Sequence, residues 1–169
     1  MVTSGTNVNN LCCMDYGNAE VEVNDTGDGH MDALNIGRLC SFEPCTGPGP
    51  WVGADLENGI FQGNRSNPRN RGNRERFVTA MLGNDGTSRF ALKGGDAQAG
   101  KLVSMWDGVR PSPGYSPKQL QGAIILGTGG DGSNGGTGTF YEGCMTSGNP
   151  PDSVDDEIQA NIVAAGYGH

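Results

Sequence analysis

The sequence predicts an all-β sandwich closed by one C-terminal helix, and three observations carry that prediction. Thirty glycines in 169 residues lie between short apolar runs and show no collagen period. Turn signals such as GNDG, KGGD and GPGP recur at the spacing of short strands. Only near the C-terminus does the apolar pattern change, to an i, i+4, i+8 stripe of Val154, Ile158 and Ile162.

The expected strands, in order, are Glu20–Val23, Met31–Gly37, Pro50–Glu57, Arg76–Leu82, Ser88–Leu92, Lys101–Trp106, Gly122–Gly127 and Thr137–Met145. Each is a short run holding apolar residues and bounded by glycine, proline, asparagine or aspartate, the pattern of a sandwich. The helix is expected over 153–164. Pro150, Pro151, Asp152 and Ser153 precede it, and Asp155, Asp156 and Glu157 occupy its first turn, where the helix dipole favours acids. Gly166 is its stop.

A chain of this length is enough for one domain with a real core. The net charge of −8 argues against general affinity for nucleic acid. No run of about 18 apolar residues exists, so no membrane-spanning helix is expected. The first ten residues, MVTSGTNVNN, have neither a basic n-region nor an apolar h-region, so no signal peptide is expected within this chain. Of the five cysteines, Cys40 and Cys45 bracket a short proline-containing loop and could close it as a disulfide. Cys12 and Cys13 are adjacent, and adjacent cysteines usually stay separate because the ring joining them is strained. Cys144 is the odd residue, expected as a buried small hydrophobe in a strand. No CxxC occurs, and no metal or cofactor is expected. Asn24, Asp25, Asp28 and Asp32 make a calcium-like cluster, but their spacing fails the EF-hand pattern and reads as a turn.

The most informative segment is Trp51–Gly59, WVGADLENG. As a strand it puts Val52, Ala54 and Leu56 on a core face and Trp51, Gly53, Asp55 and Glu57 on the other. Two acids on one face repel each other and gain little from packing. On the pattern alone, the plainer reading is an exposed edge strand with solvated acids. A sheet that cleaves sugar can use the same layout, with one acid reacting, one holding a hydroxyl and the aromatic ring as a platform. A second acidic segment, GAIILGTGGDGSN (122–134), runs from an apolar strand into a glycine-rich loop holding Asp131. Glycines there allow a ligand close to backbone and carboxylate, but the Lys-Ser/Thr of a phosphate loop is missing. Arg65, Arg69, Arg71, Arg74 and Arg76 cluster between proline, glycine and asparagine. They read as a solvated loop, with contact to an anionic glycan or acidic partner as the alternative.

Taken together, CCMDYGNAE (12–20), DTGDGHMDA (25–33), GPWVGADLENGIFQG (49–63), RFVTAMLG (76–83), GAIILGTGGDGSNGGTGTFYEGCMTSG (122–148) and ANIVAA (160–165) occur in order over nearly the whole chain. They closely resemble the catalytic domain of the α-L-arabinofuranosidase B family, glycoside hydrolase family 54. The resemblance implies a concanavalin-like, jelly-roll β-sandwich and a retaining glycosidase that releases terminal arabinofuranose from arabinan or arabinoxylan side chains. It implies Glu57 as nucleophile and Asp131 as acid/base. It implies Asp55, Asn58 and Gly130 as arabinose-binding positions, and Cys12 and Cys13 as an adjacent-cysteine disulfide lining the sugar pocket, which reverses the reading from ring strain. It also implies a secreted protein. The chemistry agrees: a retaining enzyme needs one ionised carboxylate to attack and a second, protonated carboxyl to donate, so Asp131 would need a raised pKa. Glu57 is expected exposed in a pocket and not in the core. Glu142, in FYEG, is a competing carboxylate.

Three departures qualify the resemblance. The family places a long portion before the CC motif and usually an arabinose-binding β-trefoil after the sandwich, and neither is in this sequence. Where the family pocket usually presents tryptophan, this sequence has Phe42. The arginine loop has no obvious counterpart. The expectation is a single sandwich domain over 1–169, short of the strands that precede it in the family. Self-association, or a partner chain, would then cover the face of Val52, Ala54 and Leu56; the alternative is that the strands close a smaller sandwich on their own. The alternative function is a non-catalytic glycan-binding or structural sandwich derived from this family.

Overall fold

A computed structural model of the protein describes residues 1–20, 30–42, 44–57, 59–63, 66–109 and 122–168. The elements are β1 (Val2–Thr3), β2 (Asp15–Asn18), β3 (Ala33–Gly37), β4 (Trp51–Asp55), β5 (Ile60–Phe61), β6 (Val78–Asn84), β7 (Phe90–Asp96), β8 (Val103–Gly108), β9 (Ile124–Leu126), β10 (Phe140–Glu142) and α1 (Asp152–Ala165). They form two five-stranded sheets, ordered β10-β1-β6-β7-β8 and β5-β4-β3-β2-β9. Every strand pair is antiparallel. The mostly-β sandwich with a C-terminal helix is as expected.

Strand alternation fixes what each face does. Leu34, Ile36, Val52, Ala54 and Phe61 of the second sheet, with Leu56 just past β4, meet Val78, Ala80, Phe90, Leu92 and Met105 of the first. Phe61 sits edge-on to both Phe90 and Trp106, with ring centroids 5.7 and 5.5 Å away. Such pairs add to the area they bury. The face of Val52, Ala54 and Leu56 is therefore covered within the chain, which removes the reason given for association. Exposed apolar side chains remain on the edge strands β9 (Ile124, Leu126) and β10 (Tyr141).

The far face of the first sheet carries the helix. Val2, Phe77 and Ala97 pack with Ile162, flanked by Ile158 and Tyr167. Lys93 Nζ reaches Asp152 at 2.7 Å and Asp155 at 2.6 Å, tying β7 to the first helical turn. Gly166 ends α1 with φ 72°, the left-handed cap that glycine adopts without a Cβ penalty. Helix, first sheet, core and second sheet thus form successive layers. The outer face of the second sheet is left for the remaining polar groups.

Four expectations change. β1, β2 and β5 are additional strands. Within Glu20–Val23, Glu20 lies outside any strand and 21–23 lie outside the described residues. β4 ends at Asp55, two residues earlier than expected, because the Asp55 carboxylate captures the Glu57 N–H (Oδ1, 2.9 Å) and Glu57 turns to φ 76°. Cys144 follows β10 and is exposed and free, not buried.

Candidate active site

The outer face of β2, β3 and β4 gathers the acidic residues. Register pairs Asp15 with Asn35 and Asn35 with Gly53, while Gly17 aligns with Ala33 and Ala33 with Asp55. Asp15, Asn35 and Asp55 therefore project from the face opposite Leu34, Val52 and Ala54. All three are buried. The cover comes from loops, not from the sandwich interior.

Asp55 is the hub. Its Oδ1 accepts the Glu57 N–H, which holds the backbone of Glu57 in the left-handed region. Glu57 thus reaches this face through a bend and not through the pleat of a continuous strand. It is 4 % exposed, so the expectation of an open carboxylate gives way to an enclosed one. The chain then reverses through Gly59 (φ 108°) into β5. A Cβ at Gly59 would lie 2.9 Å from Ser41 Cβ and 3.6 Å from the Phe42 ring. Phe42 therefore stands beside the turn that carries Glu57, where the sequence expected a pocket aromatic. Trp51 is not an open platform. It is buried, its indole N–H donating to the Thr46 carbonyl at 2.8 Å.

The cysteine pair and the glycine-rich loop complete the cluster. Cys12 and Cys13 are bonded to each other across a cis peptide, and Cys40 is bonded to Cys45. Cys13 Sγ lies 3.0 Å and Cys12 Sγ 3.8 Å from Asp55 Oδ2. Joined sulfurs carry no thiol proton and are not thiolates, so these are close contacts and the trio is not a thiolate metal set. On the other side, Cys12 Sγ lies 3.8 Å from Ser133 Oγ. Ser133 donates its hydroxyl (2.6 Å) and its N–H (2.9 Å) to Asp131 Oδ1. The loop is pinned by Gly135 N–H to the Cys12 carbonyl (2.8 Å) and Gly127 N–H to the Asp15 carbonyl (2.8 Å). A continuous line of contacts therefore runs Glu57, Asp55, the cysteine pair, Ser133, Asp131.

Gly130 sits against Ala19, Glu20 and Met31, with no space for a side chain. Asn58 lies outside the described residues, as do Asn24, Asp25 and Asp28 of the expected turn and Arg65 of the arginine loop. The other four arginines of that loop are exposed. Beneath them, Asn70 donates to the carbonyls of Val52 (2.8 Å) and Gln62 (3.0 Å). Glu142 lies in the other sheet and accepts the Tyr167 hydroxyl at 2.6 Å, so it does not compete for the site. A recess of about 720 Å3 opens elsewhere, beside Tyr16, Leu34, Leu82 and Ile158, and none of Cys12, Cys13, Asp55, Glu57 or Asp131 lines it.

The residue that sequence reasoning missed is Asp15. Burial raises its pKa well above the carboxylate range, the neighbouring Asp55 charge adds to this, and the Asn35 hydrogen bond (2.7 Å) opposes it. The signal was present in DYGN. Asp15 and Gly17 share a face beside an apolar Tyr16, the same acid-and-glycine layout as Gly53 and Asp55.

The chain matches the family described as α-L-arabinofuranosidase B, catalytic, over residues 1–168. It is 50% identical to an arabinofuranosidase/β-xylosidase of Trichoderma koningii, the match covering 98% of this chain and 34% of that protein. It is 49% identical to α-L-arabinofuranosidase B of Aspergillus oryzae, covering 98% and 33%. Among solved structures, it resembles a family 54 α-L-arabinofuranosidase soaked with a cyclic sulfate inhibitor, at TM-score 0.89 and 45% identity, covering 98% of this chain and 35% of that one. It also resembles an arabinofuranosidase complexed with arabinofuranosyl-α-1,2-xylobiose, at TM-score 0.88 and 44% identity, with the same coverage. The chain spans about a third of the length of these relatives. A match along residues 1–168, together with an acid cluster on the outer sheet face, leads to one conclusion: the chain belongs to the α-L-arabinofuranosidase B catalytic-domain family, a family of glycoside hydrolases.

Proposed function

We propose that this chain carries the catalytic centre of a retaining, exo-acting α-L-arabinofuranosidase that releases terminal arabinofuranose from arabinan or arabinoxylan side chains. The observation that carries the reading is the line of contacts from Glu57 through Asp55 and the cysteine pair to Ser133 and Asp131. Glu57 attacks the anomeric carbon as its carboxylate while Asp131, protonated, gives its proton to the departing glycosidic oxygen. Asp131 then removes a proton from water, which attacks the same carbon and expels Glu57, so configuration is retained. Asp55 holds a sugar hydroxyl, with Asn58 and Gly130 as further arabinose-binding positions. The joined Cys12 and Cys13 form an apolar plate, and Phe42 is the pocket aromatic. The relative bound to an arabinofuranosyl-xylobiose supports the arabinoxylan substrate, and the disulfides support a secreted, oxidising setting. Exposed Ile124 and Leu126 on edge strand β9 support contact with further chain or a second copy, which light scattering reads.

The test is release of 4-nitrophenol from 4-nitrophenyl α-L-arabinofuranoside by the full chain, with product configuration read by NMR. Retained configuration and loss of turnover in Glu57→Gln support the reading. Turnover that survives Glu57→Gln, or an inverted product, overturns it. A folded chain that binds arabinosides without turnover favours the glycan-binding alternative.

A further inference from the structure

Asp15 is fully buried on β2, with its side chain directed to the same outer face as Asp55. One carboxyl oxygen, Oδ1, accepts the Asn35 amide at 2.7 Å. The other, Oδ2, is buried and meets no N–H or O–H donor. Its hydrogen-bonding neighbour is the Asp55 carboxyl, itself an acceptor, and the charge of Asp131 also bears on it. Two carboxyl groups facing each other away from water cannot both stay ionised at ordinary pH. A single proton held between them satisfies both.

We propose that Asp15 is a positioning residue, a protonated carboxylic acid that donates to Asp55 and thereby fixes the carboxylate that orients Glu57 and the sugar. The proposal rests on the reading of Glu57 as nucleophile and Asp55 as sugar-binding residue. Asp15 touches neither substrate nor reacting atoms. It acts through Asp55, whose Oδ1 takes the Glu57 N–H. The amide of Asn35, donating to Oδ1, favours the proton on the other oxygen, because the carbonyl oxygen of a carboxylic acid accepts an N–H better than its hydroxyl oxygen does. The groups that face Asp15 are Asn35 on β3, Asp55 on β4 and Asp131 on the loop after β9. With Asp15 neutral, the site carries one negative charge fewer beside the carboxylate that must attack. The effect of pH follows: ionising Asp15 sets two anions face to face and loosens Asp55, so sugar binding weakens as pH rises.

The direct experiment follows the side-chain carboxyl carbons of the full chain by 13C NMR during a pH titration. Asp15 is expected to keep the protonated-carboxyl shift at pH values where exposed aspartates, with ordinary values of about 3.9, have already ionised. Asp15 titrating together with the exposed aspartates overturns the proposal, whether or not the chain turns over substrate. The kinetic arm compares Asp15→Ala with Asp15→Asn on the nitrophenyl arabinofuranoside. The alanine variant is expected to raise KM about tenfold or more, as for a lost hydrogen bond to a charged group. Asn retains a donor toward Asp55, so it is expected to restore most of that loss and to remove the rise of KM with pH. Equal impairment by both variants, with an unchanged pH profile, shows a merely structural role and overturns the proposal. Glu57→Gln serves as the separate control: its retained turnover sinks the functional reading while the NMR result still judges Asp15.

Discussion

Replacing Glu57 by glycine and by alanine gives two variants whose relative stability is set by one backbone angle. Glu57 has φ 76°, a conformation that costs a residue with a Cβ roughly 1–2 kcal/mol. Both substitutions remove the same carboxylate and the same side-chain contacts, so those losses cancel between them. Glycine relieves the steric cost but gives back about 0.5–1 kcal/mol of extra unfolded-chain entropy. The glycine variant should therefore be the more stable of the two by about 0.5–1 kcal/mol, or about 1–4 °C in Tm for a chain of this size. The natural comparison is Ala160→Gly on the exposed side of α1, in the interior of the helix, where the same alanine-to-glycine exchange should lose about 1 kcal/mol. Urea unfolding at constant m-value measures both differences. If Glu57→Ala proved as stable as Glu57→Gly, the claim that Glu57 is held under strain by Asp55 would be refuted. Neither variant should release nitrophenol, which separates the strain from the chemistry it serves.

The remaining predictions concern leaving groups, core packing and pH. Asp131→Asn should lose most activity on natural arabinosides and much less on activated aryl arabinosides, which need little protonation, and full activity on the natural substrate would remove Asp131 as the acid. Phe90→Ala, at a fully buried position against Phe61, should cost about 3–5 kcal/mol in urea unfolding, and a loss under about 1 kcal/mol would contradict the packing described. Asp15 has a raised folded pKa, so the folded state binds more protons than the unfolded chain between the ordinary value near 3.9 and the folded value. Its contribution is complete below that ordinary value and is lost as pH rises, with a slope of at most about 1.4 kcal/mol per pH unit. Asp15→Asn should remove that slope, so its stability relative to wild type should improve as pH rises from about 4. An unchanged slope would show that Asp15 is ionised in the fold.

The sandwich was legible because its signals are local. The alternation in WVGADLE placed Val52, Ala54 and Leu56 in the core without reference to any other segment. The helix was legible from Val154, Ile158 and Ile162 and from Gly166, and its observed ends differ from expectation by one residue each. β1 and β5 were not legible, because two-residue strands exist only through their partners. β2 has no β-branched residue and is held between β3 and β9 by pairing that no window along DYGN reveals. Single site residues were named from family motifs, whereas their connection is tertiary. Ser133 links Asp131 to Cys12 across 121 positions, and Asp15 gains its character only from Asn35 and Asp55 on neighbouring strands. The exposed Cys144 was misread because a strand setting suggests burial, and Cys144 follows a short edge strand.

The two faces of the second sheet divide the labour of this molecule. Leu34, Ile36, Val52 and Ala54 face the first sheet and contribute burial, at about 25 cal/mol for each Å2 of apolar surface removed from water. Asp15, Asn35 and Asp55 project from β2, β3 and β4 to the other side, where burial of carboxyl groups opposes folding. Because the pleat alternates, each strand that delivers an acid to the outer face also anchors itself through its neighbours in the core. A one-residue slip in register would exchange the two sets, so the core that stabilises the fold also fixes which side chains reach the site. The strained Glu57 and the crowded Asp15 and Asp55 then persist because the core face over-determines the backbone that carries them. Local destabilisation of this kind, held in place by packing a few ångströms away, is how a small sheet keeps several acids close together and out of water.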